Sequence, residues 1–174
     1  MNEQTVSAAD RFLLGRGIPA AKFTDPGDSH AGTITDMPEV RQQREYGSGK
    51  PLFWEDGSPK EQLVVHIATD ERDPDVDGDD GVRAIYAKGN MRDAITAAVR
   101  RAITRTGVRE GLRPGGRLTV TYTGDGQGNG PIPPKLYAAE YIPPAPAAAK
   151  ADDGEGYAFE DGTPLPPVPD EPLY

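Results

Sequence analysis

The stretch YGSGKPLFWEDGSPKEQLVVHIAT, residues 46–69, joins a glycine-rich, aromatic loop to a predicted strand. Its second half places Leu63, Val65 and Ile67 at alternate positions, which is the period of a half-buried β-strand. Its first half contains two turns marked by glycine, Asp-Gly and Ser-Pro signals. These residues predict a turn-rich loop that leads directly into a sheet.

The same loop presents aromatic and cationic side chains together: Tyr46, Phe53 and Trp54 with Lys50 and Lys60. Flat rings can stack on the unpaired bases of a single-stranded nucleic acid, and ammonium groups can contact its phosphates. Large aromatic side chains are also mostly buried, so Phe53 and Trp54 could instead close the end of a core. The residue types alone fit both interpretations equally well.

The chain length of 174 residues favours one folded domain with additional segments. The sequence contains no cysteine, which excludes disulfides, thiolate zinc sites and a cysteine nucleophile, and suits a reducing cytoplasm. No apolar run approaches the length of a membrane span, and the N-terminus lacks the pattern of a secretory signal. We therefore expect a soluble, cytoplasmic protein that contacts no membrane.

The formal net charge of −9 is concentrated in two segments. Residues 70–80 contribute −6 and residues 143–174 contribute another −6, which leaves +3 for the rest of the chain. The predicted domain body is therefore mildly basic, and the overall acidity does not exclude a nucleic-acid partner.

The remaining segments divide by hydrophobic period into strands and one helix. Strands are predicted at residues 29–46, 61–69, 82–88, 117–124 and 135–142, with bends or bulges at Gly32 and Pro38 in the first of them. The helix is predicted at residues 90–106, with Asn90 as its N-terminal cap and Gly107 at its end. Its apolar stripe consists of Met91, Ile95, Ala98 and Ala102.

This order of elements predicts a mainly β fold: a five-stranded Greek-key OB barrel with one helix between strands three and four. We place the domain at residues 21–142, after an N-terminal arm at residues 1–20. A proline- and alanine-rich linker at residues 143–150 leads to an acidic tail at residues 151–174, predicted to be disordered. OB barrels bind oligonucleotides on strands two and three and with two flanking loops. Residues 46–60 and the glycine loop at residues 124–130 occupy those two loop positions.

Three stretches of the sequence carry a resemblance to a known family. They are GTITDMPEVRQQREYGSGKPLFWEDGSPKEQLVVHIATDERDPDVDGDDGVRAIYAKGNMRDAI, PGGRLTVTYTGDG and PPKLYAAEYIPP. The sequence resembles the single-stranded DNA-binding proteins encoded by actinobacterial phages, over roughly residues 15–144. The resemblance implies an OB-fold protein that coats single-stranded DNA during phage replication or recombination, in the cytoplasm of the host cell.

Many members of such families carry an acidic C-terminal tail whose tip recruits replication or recombination proteins. The chain ends with residues similar in kind: Asp170, Glu171, Leu173 and Tyr174. The tip has fewer consecutive acids than the bacterial version, and it ends in tyrosine, so the resemblance identifies no particular partner. The tail could also fold back and compete with DNA. The sequence leaves open whether the protein forms a homo-oligomer.

We predict that cationic side chains line a phosphate-binding groove and that aromatic rings flank it. The cationic set is Arg41, Arg44, Lys50, Lys60, Arg83 and Lys88, and the aromatic set is Tyr46, Phe53, Trp54 and Tyr86. Stacking contributes about 1–3 kcal/mol per base and tolerates any base sequence. A solvated strand face is the alternative for each cation, and Tyr86 could face either side of its strand.

Two other functions compete with DNA binding. The carboxylates of residues 70–80 could hold metal ions for phosphodiester cleavage, as in a metal-dependent nuclease. Asp73, Asp75 and Asp77 also match the start of a calcium-binding loop, but Ala84 occupies the position of its essential glutamate. The other competing function is an adaptor that uses an OB barrel only for protein contacts. No catalytic motif, cofactor fingerprint or metal-ligand spacing supports an enzyme, so we predict a binding protein with no cofactor and no metal.

Overall fold

In the computed structural model, which describes residues 17–146, six strands and one helix follow one another along the chain. They are β1 (Ser29–Ile34), β2 (Glu39–Gln42), β3 (Glu61–Ala68), β4 (Val82–Ala87), α1 (Gly89–Thr106), β5 (Arg117–Asp125) and β6 (Lys135–Ile142). The prediction of a mainly β fold with one helix is confirmed. The predicted linker from residue 147 onward and the acidic tail lie outside the described residues, as do residues 1–16 of the arm.

The strands form an open, antiparallel, six-stranded sheet in which β3 has neighbours on both edges. One edge of β3 pairs with β4, with Val65 opposite Ile85. The other edge pairs with β2 and with the end of β1, because the chain bends at residues 35–38 and divides the first predicted strand in two. β1 also pairs with β5, and β5 pairs with β6.

The closed five-stranded barrel is not confirmed, because no ladder joins the end strands β4 and β6 within residues 17–146. The outer edge of β4 is instead covered by the segment before β1, where Ala20 forms a parallel bridge to Ala84. The Ala21 amide donates to the Ala84 carbonyl at 2.9 Å, and the Ala84 amide donates to the Pro19 carbonyl at 2.8 Å. The predicted boundary between arm and domain, at residue 20, therefore falls inside a contact with the sheet.

The free edge of β6 is covered by polar side chains of α1. Arg101 donates to the Ala139 carbonyl at 2.7 Å, and Arg105 donates to the Tyr141 carbonyl at 3.2 Å. Asn90 was expected to cap the helix, and this prediction is wrong: Lys88 precedes the helix without a side-chain cap. The Asn90 amide instead donates to the Lys135 carbonyl at 3.0 Å, at the start of β6. These donors satisfy carbonyls that would otherwise form an exposed sheet edge.

The helix packs with the predicted apolar stripe against the sheet, since Met91, Ile95, Ala98 and Ala102 are all buried. They join a core built from both halves of the sheet, in which Val65, Ile67, Leu118 and Val120 are completely inaccessible to solvent. Gly107 ends the helix as predicted, with a φ of 75°.

Gly32 was expected to mark a bend, but β1 runs through it without interruption. A Cβ atom at this position would lie 2.3 Å from the Ala68 carbonyl oxygen on β3. Glycine is needed because β1 and β3 approach each other closely here.

The acidic loop of residues 70–81, which joins β3 to β4, is organised around the ion pair between Asp79 and Arg83. The two Asp79 oxygens accept from the Arg83 guanidinium at 2.6 and 2.8 Å, and the two side chains are only 3% and 7% exposed. The amides of Asp73 and Gly81 also donate to this carboxylate, at 2.7 and 2.9 Å. Hydrogen bonds from Arg83 hold the pKa of Asp79 well below the ordinary aspartate value of 3.8.

Replacing Asp79 by asparagine should lower the free energy of unfolding by about 3 kcal/mol, because the buried Arg83 charge would keep only the Glu71 carboxylate, 3.5 Å from its Nε, as a counter-ion. The matched control is Asp75→Asn in the same loop, whose side chain is exposed and should matter little. Urea unfolding of the two variants measures the difference. Equal stability of Asp79→Asn and Asp75→Asn would show that the ion pair does not organise the loop.

The same ion pair predicts a pH dependence. Because the pKa of Asp79 is lowered on folding, its contribution to stability is complete above the ordinary value of 3.8 and is lost as the pH falls below it. The stability difference between the wild-type chain and Asp79→Asn should therefore shrink as the pH is lowered from 7 to 2. A difference that stays constant over this range would contradict the assignment.

Candidate nucleic-acid interface

Strand β3 has one face in the core and one face directed away from it. Val65 and Ile67 belong to the core, so the alternating residues Gln62, Val64 and His66 lie on the opposite face. The strand register extends this face onto the neighbouring strands. We define the outer face as Glu39 and Arg41 of β2, Gln62, Val64 and His66 of β3, Tyr86 of β4 and Lys88 just beyond it. Val64, in the middle of this face, is only 2% exposed.

A row of polar and charged side chains crosses the outer face near the start of β3. Arg41 lies opposite Gln62, and Lys88 lies beside Gln62 on the other edge, one residue past the Leu63–Ala87 pair. Strands are about 4.8 Å apart, so the backbones of Arg41 and Lys88 are separated by about 10 Å. Tyr86, in the adjacent row, is 42% exposed. Two cations and one aromatic ring therefore share this end of the sheet.

Residues 43–60, between β2 and β3, fold into two hairpins that meet at Leu52. The Leu52 amide donates to the Gln43 carbonyl, and the Lys60 amide donates to the Leu52 carbonyl, both at 2.9 Å. The first hairpin is closed from Glu45 to Lys50 at 2.8 Å, and the second from Trp54 to Ser58 at 2.8 Å. The loop therefore has a defined backbone with internal hydrogen bonds.

The second hairpin directs its two aromatic side chains to opposite faces. Phe53 is bridged to Pro59, and side chains alternate along each arm, so Trp54 points away from the Phe53 side. The Lys60 Nζ lies 4.6 Å from the centre of the Trp54 ring, which is a cation–π contact. The Gln43 amide donates to the Lys60 carbonyl at 2.7 Å, so the pairing of β2 with β3 continues to Lys60. Lys60 and Trp54 are therefore on the same side as the outer face.

The aromatic side chains of the hairpins are exposed. Trp54 is 57% exposed, Phe53 is 52% exposed and Tyr46 is completely exposed. Neither Phe53 nor Trp54 belongs to the core cluster, so the alternative that they close the end of the core is not what the structure shows. The rings present large apolar area to solvent without an apolar partner in the core.

The other predicted cations have different surroundings. The Arg44 guanidinium donates to the Gly49 carbonyl at 2.9 Å and so braces the first hairpin, while Lys50 is exposed in that hairpin. Arg83 lies opposite Ile67, on the inner side of β4, and its guanidinium is held by Asp79. The structure does not bring Arg83 to the predicted groove.

The hairpins and the acidic loop lie at opposite ends of β3, and its eight residues span about 25 Å. The hairpins themselves are balanced in charge, with three carboxylates against three cations: Glu45, Glu55 and Asp56, and Arg44, Lys50 and Lys60. On β2, Glu39 pairs with Arg41 at 2.6 Å, and because both side chains are at least half exposed, this pair contributes little to stability.

Sequence reasoning missed two residues of the outer face, Gln62 and His66. The His66 ring contacts Asp36 at 3.1 Å, and Gln62 lies between Arg41 and the Lys88 position. The alternation that assigned Val65 and Ile67 to the core already placed both residues on the opposite side. The alternation therefore indicated the side of the sheet on which the two residues lie. It did not give the cross-strand register that places them beside residues of β2 and β4.

The acidic loop offers no preassembled metal site. Within the described residues, no group of three or more histidine, aspartate or glutamate side chains is arranged to hold a metal ion. Both oxygens of Asp79 accept from Arg83, and Ala84 of the calcium-loop pattern lies in β4. No helix within residues 17–146 is long and apolar enough to cross a membrane.

Comparisons of the chain with protein-family models, with curated proteins and with solved structures found no match. We therefore infer the function of the protein from the chemistry of the outer face and the hairpins.

Trp54 is the only tryptophan, so its fluorescence reports on this surface directly. Relative to a free tryptophan amide, the ratio of iodide to caesium quenching should be higher for Trp54, because Lys60 attracts anions to the exposed ring. Lys60→Gln should lower the iodide quenching constant by about twofold, since unit charges about 5 Å apart in water interact by somewhat under 1 kcal/mol. Arg109→Gln, far along the chain after α1, is the control. A ratio in the wild-type chain no higher than that of the free amide would contradict the contact.

Proposed function

We propose that this protein binds single-stranded DNA across the outer face and the second hairpin, and coats exposed strands during phage DNA replication or recombination in the host cytoplasm. One observation carries the proposal: the exposed Trp54–Lys60 pair lies on the same side of the sheet as Tyr86 and Lys88. The acidic loop, which would repel phosphates, is at the opposite end of β3.

Stacking supplies most of the proposed affinity. Bases stacked on Trp54 and Tyr86 would contribute about 1–3 kcal/mol each. The outer face and the second hairpin together offer Arg41, Lys60 and Lys88 to phosphates, and Arg41 already has Glu39 as a neighbour. Neutralising three phosphates gives a slope of log affinity against log salt of about −2 for a single strand. Binding should therefore be weakened by salt but not abolished.

The connectivity of the strands supports an OB-type arrangement of this interface. If β1 and β2 are two halves of one long strand, the hairpins connect the first and second strands of an OB barrel. In such barrels, this loop and the face of strands two and three hold oligonucleotides. The glycine-rich connection from β5 to β6 occupies the position of the second flanking loop.

The partner-binding role of Asp170, Glu171, Leu173 and Tyr174 concerns residues outside the described part of the chain. Recruitment of replication or recombination proteins by this tip stays a prediction.

Variants of the full chain test the proposal, with anisotropy of a labelled thymidine oligomer as the measurement. Trp54→Ala and Tyr86→Ala should each weaken binding by about 5- to 150-fold, which corresponds to the loss of one stacked base. Phe53→Ala is the matched aromatic control, because Phe53 is equally exposed but points to the other side of the hairpin. Phe53→Ala should weaken oligonucleotide binding clearly less than Trp54→Ala does. Equal losses for Phe53→Ala and Trp54→Ala would contradict the assigned face.

The salt dependence provides a separate test of the cations. Lys60→Gln and Lys88→Gln should each reduce the magnitude of the salt slope by about 0.7, and Arg109→Gln should leave it unchanged. A wild-type chain that binds no oligonucleotide at low salt would overturn the proposal and leave the adaptor function.

A further inference from the structure

A second surface, separate from the outer face, is a groove of about 410 Å³ between α1 and the bend that follows β1. Its walls are apolar and include Met37, Leu63, Val99 and Leu112. Met37 is 51% exposed, so apolar surface is open to solvent here. The groove lies on the inner side of β3, to which Leu63 belongs, and not on the side of Trp54 and Tyr86.

Two arginines line the rim of the groove, one of them, Arg92, in an exposed ion pair with Asp93 at 3.0 Å. Arg92 and Arg100 line it from α1, and eight helical residues place them about 12 Å apart along the helix axis. A third guanidinium is close by, because Arg113 approaches the Met37 sulfur at 3.8 Å. An occupant that suits this groove combines apolar side chains with carboxylates.

The chain leaves the described domain beside this groove. Tyr141 of β6 ties the segment containing Leu112 to the end of the sheet: its hydroxyl donates to the Gly111 carbonyl and accepts from the Arg113 amide, both at 3.1 Å. Pro144, just after β6, lies 3.4 Å from where a Cβ on Gly115 would be. One wall of the groove and the exit of the C-terminal segment are therefore adjacent.

The sequence beyond residue 146 contains a segment with the required chemistry. Residues 155–161, EGYAFED, place Tyr157 and Phe159 between carboxylates on both sides. Tyr157 follows Pro144 by 13 residues, and a chain of that length spans about 20 Å as a random coil and about 40 Å if fully extended in the polyproline II conformation. The segment is long enough to reach back to the groove without strain.

We propose that the groove between α1 and Met37 binds the chain's own residues 155–161, with Tyr157 and Phe159 against its apolar walls and the flanking carboxylates near Arg92 and Arg100. This docking leaves the outer face open, in contrast to a tail that competes for DNA. It depends on the groove and on the exit point of the chain, and not on nucleic-acid binding.

Photo-cross-linking of the full chain tests the docking directly. Phe159 is replaced by p-benzoylphenylalanine, the protein is irradiated at a low and a tenfold higher concentration, and adducts are located by mass spectrometry. We expect adducts on Met37, on residues 92–100 or on Leu112, in a monomeric product whose yield does not depend on concentration. Adducts on Trp54 or Tyr86, adducts found only in a cross-linked dimer, or no adducts would each overturn the proposal.

Two further comparisons test whether cross-linking depends on the position of the probe and on the charge of the groove. The same photo-reactive residue at position 168, outside the acidic aromatic segment, should give at least fivefold less product in the groove. Arg100→Glu in the chain that carries the probe at position 159 should lower the yield by a similar factor, and Arg109→Glu should not. An equal yield with Arg100→Glu would contradict the charge-matched docking.

Discussion

The structure depends on the pairing of β3 along both of its edges. β4 on one side and β1 with β2 on the other fix the strand in a single register. A shift by one residue would exchange Val65 and Ile67 for Val64 and His66 in the core, so the register is strongly determined. The same pairing decides which side chains face solvent. The register of β3 therefore determines both which side chains form the core and which form the outer face.

That constraint also separates the acidic loop from the hairpins. β3 begins at the hairpins and ends at the acidic loop, so the exposed aromatic rings are at one end and the seven carboxylates of residues 70–80 are at the other. The loop is held in place by the ion pair of Asp79 with Arg83, whose side chain is 7% exposed. A net charge of −9 is therefore compatible with a surface suited to a polyanion, because the distribution of charge matters more than its sum.

Local patterns predicted the elements well, because they depend on the period of apolar side chains. The helix stripe from Met91 to Ala102, the end of the helix at Gly107 and the alternation in β3 could all be read from the sequence. Contacts between distant segments could not. Asn90 was expected to cap α1 but instead contacts Lys135, and the edge of β4 is covered by residues 19–21, whereas closure of the barrel had been inferred from element order alone. Arg83 was expected at the groove, but it lies on the inner side of β4 and pairs with Asp79, four residues earlier. The side of β4 on which Arg83 lies depends on the strand register, which a single sequence does not specify.

The central claim is that the surface containing Trp54 contacts unpaired bases. The most direct measurement is a titration of Trp54 fluorescence with unlabelled oligothymidylate at two salt concentrations, with duplex DNA of the same length as the comparison. If unpaired bases stack on Trp54, we expect saturable quenching by the single strand, weaker at the higher salt concentration, and little response to the duplex. Unchanged fluorescence at saturating oligothymidylate, or an equal response to duplex DNA, would contradict it.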